Sequence, residues 1–234
     1  MKSSVVLSAL LLIAVFGCEE KEKVIEVVDE VPKDVFHVNL CETLHATVMS
    51  MLSESQNNKE KYPELFANSV PSEVVIKSET DVYVSFITES ASLPSTLAYY
   101  TYQGSGPSSS GDVDRKIAFP HVSNAVLSSG DTRKIGHFPA GTVIGFFLVI
   151  GAYHDNTVNW DKPTLWTNSA WNEGQTRQHV IFNESQCNNI VMAFEDKNIN
   201  STSDRDYNDV VFLISDNNSA QASTSFELNS VPSM

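Results

Sequence analysis

From residue 73 onward the chain is a succession of short β-branched and aromatic runs separated by turn residues: 73–77, 82–87, 97–102, 116–119, 132–135, 143–150, 179–182, 190–194 and 210–214. Each run is short for a helix but suits a strand. Nine strands with no helical period between them predict an all-β fold, a β-sandwich or jelly-roll-like arrangement, rather than alternating β and α units. The Gly/Ser/Pro-rich stretch 104–111 has strands on both sides and reads as a loop within that fold. Helical spacing occurs only earlier, where Leu40, Leu44, Val48 and Leu52 recur every four residues and Cys41 and Met51 widen the stripe. This predicts one N-terminal amphipathic helix over about 35–54, its apolar face turned to the core.

The last two runs bracket the densest cluster of charge. Glu195, Asp196, Asp204, Asp206 and Asp209 put five carboxylates into fifteen residues, offset locally only by Lys197 and Arg205. A hard divalent cation resolves such crowding, because calcium takes 6–8 oxygen ligands from carboxylates, amide carbonyls and water. The spacing Asp204-x-Asp206-x-Asn208 resembles the start of an EF-hand loop. That reading fails, since Asp209 stands where the loop needs Gly, Ser215 where it needs a bidentate Glu, and a strand follows. The expected calcium ligands are Asp204, Asp206 and Asp209, then Asn208, Glu195 and Asp196, on an inter-strand loop. The bland alternative is a solvated turn held by Asx hydrogen bonds.

The same residues carry a family resemblance. Phe194-Glu195-Asp196, a gap, and Asp204-Arg205-Asp206-Tyr207-Asn208-Asp209-Val210-Val211-Phe212 resemble the C-terminal signature of the DUF4114 / LruC-type domain of bacterial surface and secreted proteins. Pro139 to Val149 is similar to that family's PAGT-IGFFLV strand, and 81–86 with 97–102 is similar to its first hairpin. The resemblance spans roughly residues 70–217 and implies an all-β, calcium-binding domain on the cell exterior, with no implied substrate. The chain departs from the family at 198–203, where a polar loop replaces Gly-rich turns.

The N-terminus points outward independently. Lys2, the apolar run Val5 to Phe16 and Gly17-Cys18 read as an export signal, and a run of twelve residues is too short to cross a bilayer core of about 30 Å. Val15-Phe16-Gly17-Cys18 resembles a bacterial lipobox, which implies cleavage before Cys18 and lipid on its thiol; an ordinary secretory signal with an incidental cysteine is the alternative. The expected location is a bacterial cell envelope, lipid-anchored at the outer membrane or cell surface. Residues 18–34 are rich in Glu and Asp and read as an extended, self-repelling tether.

The expected organisation is therefore a signal (1–17), an acidic tether (18–34), a helical segment (35–68), the sandwich (69–217) and a polar, frayed tail (218–234). Lys and Arg number 15 against 29 Asp and Glu, for a net charge of −14. With no basic stripe, nucleic-acid binding and direct attraction to anionic membranes are disfavoured, so the membrane partner is reached through lipid alone.

With Cys18 assigned to lipid, Cys41 and Cys187 remain to form a disulfide or stay as buried thiols. Trp160, Trp166 and Trp171 fall within twelve residues, interleaved with Asn159, Asp161, Asn168 and Asn172, in a stretch without strand alternation. Indoles flanked by amides suit sugar binding, with Trp160, Trp166, Trp171 and Asn172 as ligand-binding candidates; alternatively the indoles plug the end of the sandwich. No nucleophile elbow, zinc-protease motif or phosphate loop is present, so catalysis is not expected. The sequence reads as a calcium-binding envelope lipoprotein that binds a glycan or a surface partner in an adhesion-like role. A carbohydrate-active enzyme built on paired carboxylates such as Glu195 and Asp209, or a purely structural envelope module, are the alternatives.

Overall fold

The computed structural model describes residues 24–201, 203–221 and 223–234. The chain enters through β1 (Ile25–Val27) and β2 (Phe36–His37), followed by α1 (Leu44–Met51), the single-turn α2 (Asn58–Lys61) and a 3₁₀ turn at Pro63–Phe66. Next come β3 (Val74–Val75), β4 (Thr80–Glu89), β5 (Ser95–Tyr102), β6 (Lys116–Val122), β7 (Asp131–Phe138) and β8 (Val143–Val149). After them lie β9 (Tyr153–His154), β10 (Thr157–Asn159), β11 (Thr164–Trp166), β12 (His179–Glu184), β13 (Asn189–Phe194) and β14 (Val210–Ser215). All nine expected strands are present, and the five additional ones are two or three residues long.

Every strand pairing between these elements is antiparallel. A six-stranded sheet runs β12-β13-β14-β4-β7-β2, and a five-stranded sheet runs β11-β8-β5-β6 with β3 also on β8. A small sheet, β1-β10-β9, completes the set. The two large sheets enclose a core of Phe86, Leu97, Phe146, Leu148, Phe194 and Phe212, with the Phe146 and Phe212 rings 5.1 Å apart.

Both sheets are also covered on their outer faces. Leu44, Val48, Leu52 and Leu65 of the helical segment seal Val180, Phe182, Val191, Val211 and Leu213 of the six-stranded sheet. The 150–171 segment closes Ala98, Tyr100, Phe147 and Val149 of the five-stranded sheet. Burial on both faces explains why β13 and β14 read as continuous apolar runs, since every residue of both strands is buried.

Three expectations need correction. The helix is confined to 44–51, because Val35, Phe36, His37 and Val38 are β-branched or aromatic and extend along β7 instead. Residues 24–34 of the expected tether form a strap docked on the sandwich: β1 pairs with β10, while Glu26, Glu30 and Asp34 meet Trp160, His121 and Arg133. Charge that repels within a free linker is satisfied here one residue at a time. The tail is likewise docked, with Phe226 3% exposed and bridging to Ile76, Ser233 bridging to Asn183, and the Asp216 carboxylate accepting the Thr224 and Ser225 amides.

Cys41 and Cys187 are joined in a disulfide, their Cα atoms 6.2 Å apart. It ties the chain just before α1 to the β12–β13 turn.

One buried polar group lies on β12. His179 is fully buried against Phe194, and neither ring nitrogen has a partner. Burial, helped by the nearby Arg177 charge, holds its pKa well below the ordinary 6.5. The unfolded chain therefore binds a proton that the fold refuses, so this residue withdraws stability as pH falls below about 6.5, at up to about 1.4 kcal/mol per pH unit. Between pH 7 and pH 5 the difference in denaturant stability between His179→Phe and the parent chain should widen in favour of the variant. Parallel profiles for the two proteins would show that the imidazole does not resist protonation.

Candidate functional site

The acidic motif folds around the mouth of the β13–β14 connection. Pairing of Phe194 with Val210 sets Glu195 and Asp196 beside Asn208 and Asp209, although a dozen residues of loop separate them in sequence. Two backbone bonds fasten the ends: the Asp196 amide donates to Asp209 Oδ2 at 2.7 Å, and the Tyr207 amide donates to Glu195 Oε1 at 2.7 Å. Between them Arg205 and Tyr207 adopt left-handed backbone, φ 67° and 58°. Non-glycine residues take up this region only where surrounding contacts repay the strain, and here the side chains supply them. Tyr207 is fully buried against Phe66, with ring centroids 5.2 Å apart, and Arg205 donates to the Ile199 carbonyl.

Asp206 is thereby buried, while Asp204 and Glu54 stay exposed beside it. Ligand oxygens of Glu54, Asp204 and Asp206 all lie within 4.8 Å of one another. A cavity of about 150 Å³ holds these three with Ser90, Ser92, Glu195, Asp196, Lys197, Asn208 and Asp209. All six residues expected from the sequence thus share one cavity, and Lys197 is the only basic residue in its wall.

Glu54, Ser90 and Ser92 were not legible from the sequence. Glu54 sits 150 residues before Asp204, in the polar stretch after the helix, and no spacing rule links the two. The fold makes the link: the Ser55 amide donates to Asp206 Oδ2 at 2.7 Å, the Asn58 amide donates to the Arg205 carbonyl at 2.9 Å, and the Asn58 side chain donates to the Asp206 carbonyl.

The expected ligands do not all act alike. Asn208 turns its amide nitrogen inward, donating to Asp206 Oδ2, Glu54 Oε2 and the Leu52 carbonyl, while its Oδ1 accepts from Ser90. In this arrangement Asn208 positions carboxylates of the cavity wall. Burial raises the pKa of Glu195 to about 7 and that of Asp206 to about 6, against the lowering pull of their hydrogen bonds. Burial likewise raises Asp209, with Asp196 and Glu195 adding repulsion. Such carboxylates hold protons tightly unless a cation replaces them. The donor set suits calcium: hard oxygens only, an irregular arrangement, and more carboxylates than local cations.

The tryptophan segment is placed differently from the sugar-binding expectation. Trp160 and Trp166 are 8% and 4% exposed, and Trp166 stacks on Phe147 with centroids 4.3 Å apart while Trp171 meets it edge-on at 5.3 Å. Asn172 is buried too, bonding the Trp166 amide and carbonyl and the Thr176 carbonyl. A sugar platform needs open ring faces. Large indoles instead complete the outer core here, because the five-stranded sheet has no helix on that side. The expected lipidation site Cys18 and the expected export signal lie outside the described residues. Among the described residues no helix is long and apolar enough to cross a membrane.

Residues 138–217 match the family model described as Domain of unknown function (DUF4114). The matched segment begins at the last residue of β7 and takes in the tryptophan segment, β12 to β14 and the whole acidic loop. No curated protein and no solved structure matches the chain.

Proposed function

We propose that this chain is a calcium-binding lipoprotein of a bacterial cell envelope, in which the cation clasps the N-terminal helical segment to a β-sandwich that binds a glycan or surface partner. The observation that carries the reading is the meeting of Glu54 with Asp204 and Asp206, ligand oxygens within 4.8 Å, from parts of the chain 150 residues apart. A cation bridging them joins two segments far apart in sequence. Magnesium demands a near-ideal octahedron and keeps its waters, whereas calcium tolerates an irregular carboxylate cage. Calorimetric titration of the chelator-treated chain with calcium to about 10 mM should reveal one saturable site, because extracellular modules bind at about 10⁻⁴–10⁻³ M. No heat and no competition by magnesium across that range would overturn the cation reading.

Envelope anchoring is supported by the short apolar N-terminal run ending in Gly17-Cys18 and by the absence of a longer apolar segment elsewhere in the sequence. Because β1 already docks Ile25–Val27 on β10, a lipid on Cys18 would hold the domain on a short leash. Six residues can span at most about 20 Å, at roughly 3.3 Å each. Cys18→Ser should abolish fatty-acid labelling and move the protein from the membrane fraction to the soluble one. Membrane retention of that variant would defeat the lipoprotein assignment without touching the cation site.

A further inference from the structure

A second cavity, of about 600 Å³, lies where β6 faces β7 beneath the 24–37 strap, and it shares no wall residue with the acidic one. Arg133 of β7 crosses its base to the Ile117 and Ala118 carbonyls of β6, and the Tyr99 hydroxyl donates to the Ile135 carbonyl. We propose that this cavity binds a small acidic saccharide whose carboxylate is taken by Arg115. The proposal names the ligand class for the binding role above; it rests on that role and is independent of the cation.

Arg115 is the group that asks for an anion. Its guanidinium is half-buried, lies 5.8 Å from the Trp160 ring centroid and 5.6 Å from that of Trp166, and donates once, to the Trp160 carbonyl at 3.2 Å. Among the described residues no carboxylate is within ion-pair distance of it. The other cations of the wall are engaged: Lys33 with Asp29 at 3.5 Å, Lys116 with Asp114 at 3.4 Å and Arg133 with Asp34 at 3.0 Å. A guanidinium carries five N–H donors in a plane that matches a carboxylate edge on. One is used on Trp160, and two indoles lie within cation–π reach of the group, which leaves the other donors for a ligand.

The remaining wall selects the body of the ligand. Tyr99, Ile117 and Pro120 supply an apolar floor for the CH face of a sugar ring, and Glu26 and Asp29 on the strap accept hydroxyl donors. Those strap carboxylates also repel multiply charged anions such as inorganic phosphate or sulfate. A monoanion rich in hydroxyls fits both halves, and the volume falls within the usual 300–1,000 Å³ of small-molecule sites. The tryptophans thus serve sugar recognition from behind, by holding an arginine and not by exposing their faces.

The test is a titration of the full chain, calcium-saturated, with D-glucuronate, D-glucose and sodium sulfate at constant ionic strength. Glucuronate should bind saturably, with glucose and sulfate each at least about tenfold weaker, since a hydrogen bond to a charged group is worth about 1.5–3 kcal/mol. Arg115→Gln should weaken glucuronate by about tenfold or more. Arg115→Lys, which keeps the charge and the stem over the indoles, should recover only part of it and guards against a folding defect in the first variant. Equal binding of glucose and glucuronate, sulfate as tight as glucuronate, or unaltered affinity in both variants would overturn the proposal. An undiminished calcium response in Arg115→Lys separates that failure from any failure of the cation site.

Discussion

Calcium at 100 times its dissociation constant should raise the melting temperature of the chelator-treated chain by about 5–10 °C. Binding to the folded state alone contributes about 2.7 kcal/mol at that concentration, and a domain of this size shifts by about 2–4 °C per kcal/mol. Glu54→Gln and Asp204→Asn should each remove most of that shift, because each deletes a charged ligand while Asp206 keeps its backbone donors Ser55 and Asn208. Asp206→Ala should do worse. It also leaves those two amides without an acceptor, at about 1–3 kcal/mol for a buried group, so the calcium-free baseline falls as well.

Acidity should compete with the ion. Glu195 and Asp206 have folded pKa values raised to about 7 and about 6 from 4.5 and 3.8. Their contribution to calcium-free stability is therefore complete below the unfolded values and is lost as pH rises through the folded ones. Without calcium the chain should melt higher at pH 6 than at pH 8, and saturating calcium should erase or reverse that order. If Glu54→Gln and Asp204→Asn respond to calcium as the parent does at matched ionic strength, the ion is bound elsewhere and the loop reverts to an ordinary acidic turn.

Legibility in the sequence followed the range of the interactions. The nine strands were readable because β-branched runs and their turns are local signals, and the gathering of the acidic residues of the β13–β14 loop was readable because a hairpin keeps them together. Glu54 was not, since its place depends on the helical segment crossing the outer face of the six-stranded sheet, a contact no periodicity encodes. The tryptophan segment was legible only as a choice between two readings. Its composition resembles a sugar platform, yet the five-stranded sheet lacks any other cover, and burying Phe147 and Tyr100 outweighs keeping three indoles in water. The strap at 24–34 was misread for a related reason, because its charge argues for extension only until Glu26, Asp29, Glu30 and Asp34 each meet a cation, an imidazole or an indole N–H.

Opening the Cys41–Cys187 bond should produce the other large loss, lowering the melting temperature by about 10 °C or more. The two residues are 146 apart in sequence, and closing a loop of that length restrains the unfolded chain by about 5 kcal/mol in the chain-entropy treatment. The bond also has a local consequence that a generic crosslink lacks. It pins the chain just ahead of α1 to the β12–β13 turn, so the segment carrying Leu44, Val48, Leu52 and then Glu54 is held on the sheet from its upstream end. Cys187→Ser should therefore reduce the calcium-induced shift as well as the baseline, because Glu54 is delivered to Asp204 and Asp206 only while that segment stays docked. Scanning calorimetry of the parent and Cys187→Ser, each with calcium and with chelator, separates the two effects. Melting unchanged by the substitution, or free alkylatable thiols at both positions in the exported protein, would refute the crosslink. A lowered baseline with an intact calcium shift would instead show that the sheet holds the helical segment unaided, and that the disulfide acts on the unfolded chain alone.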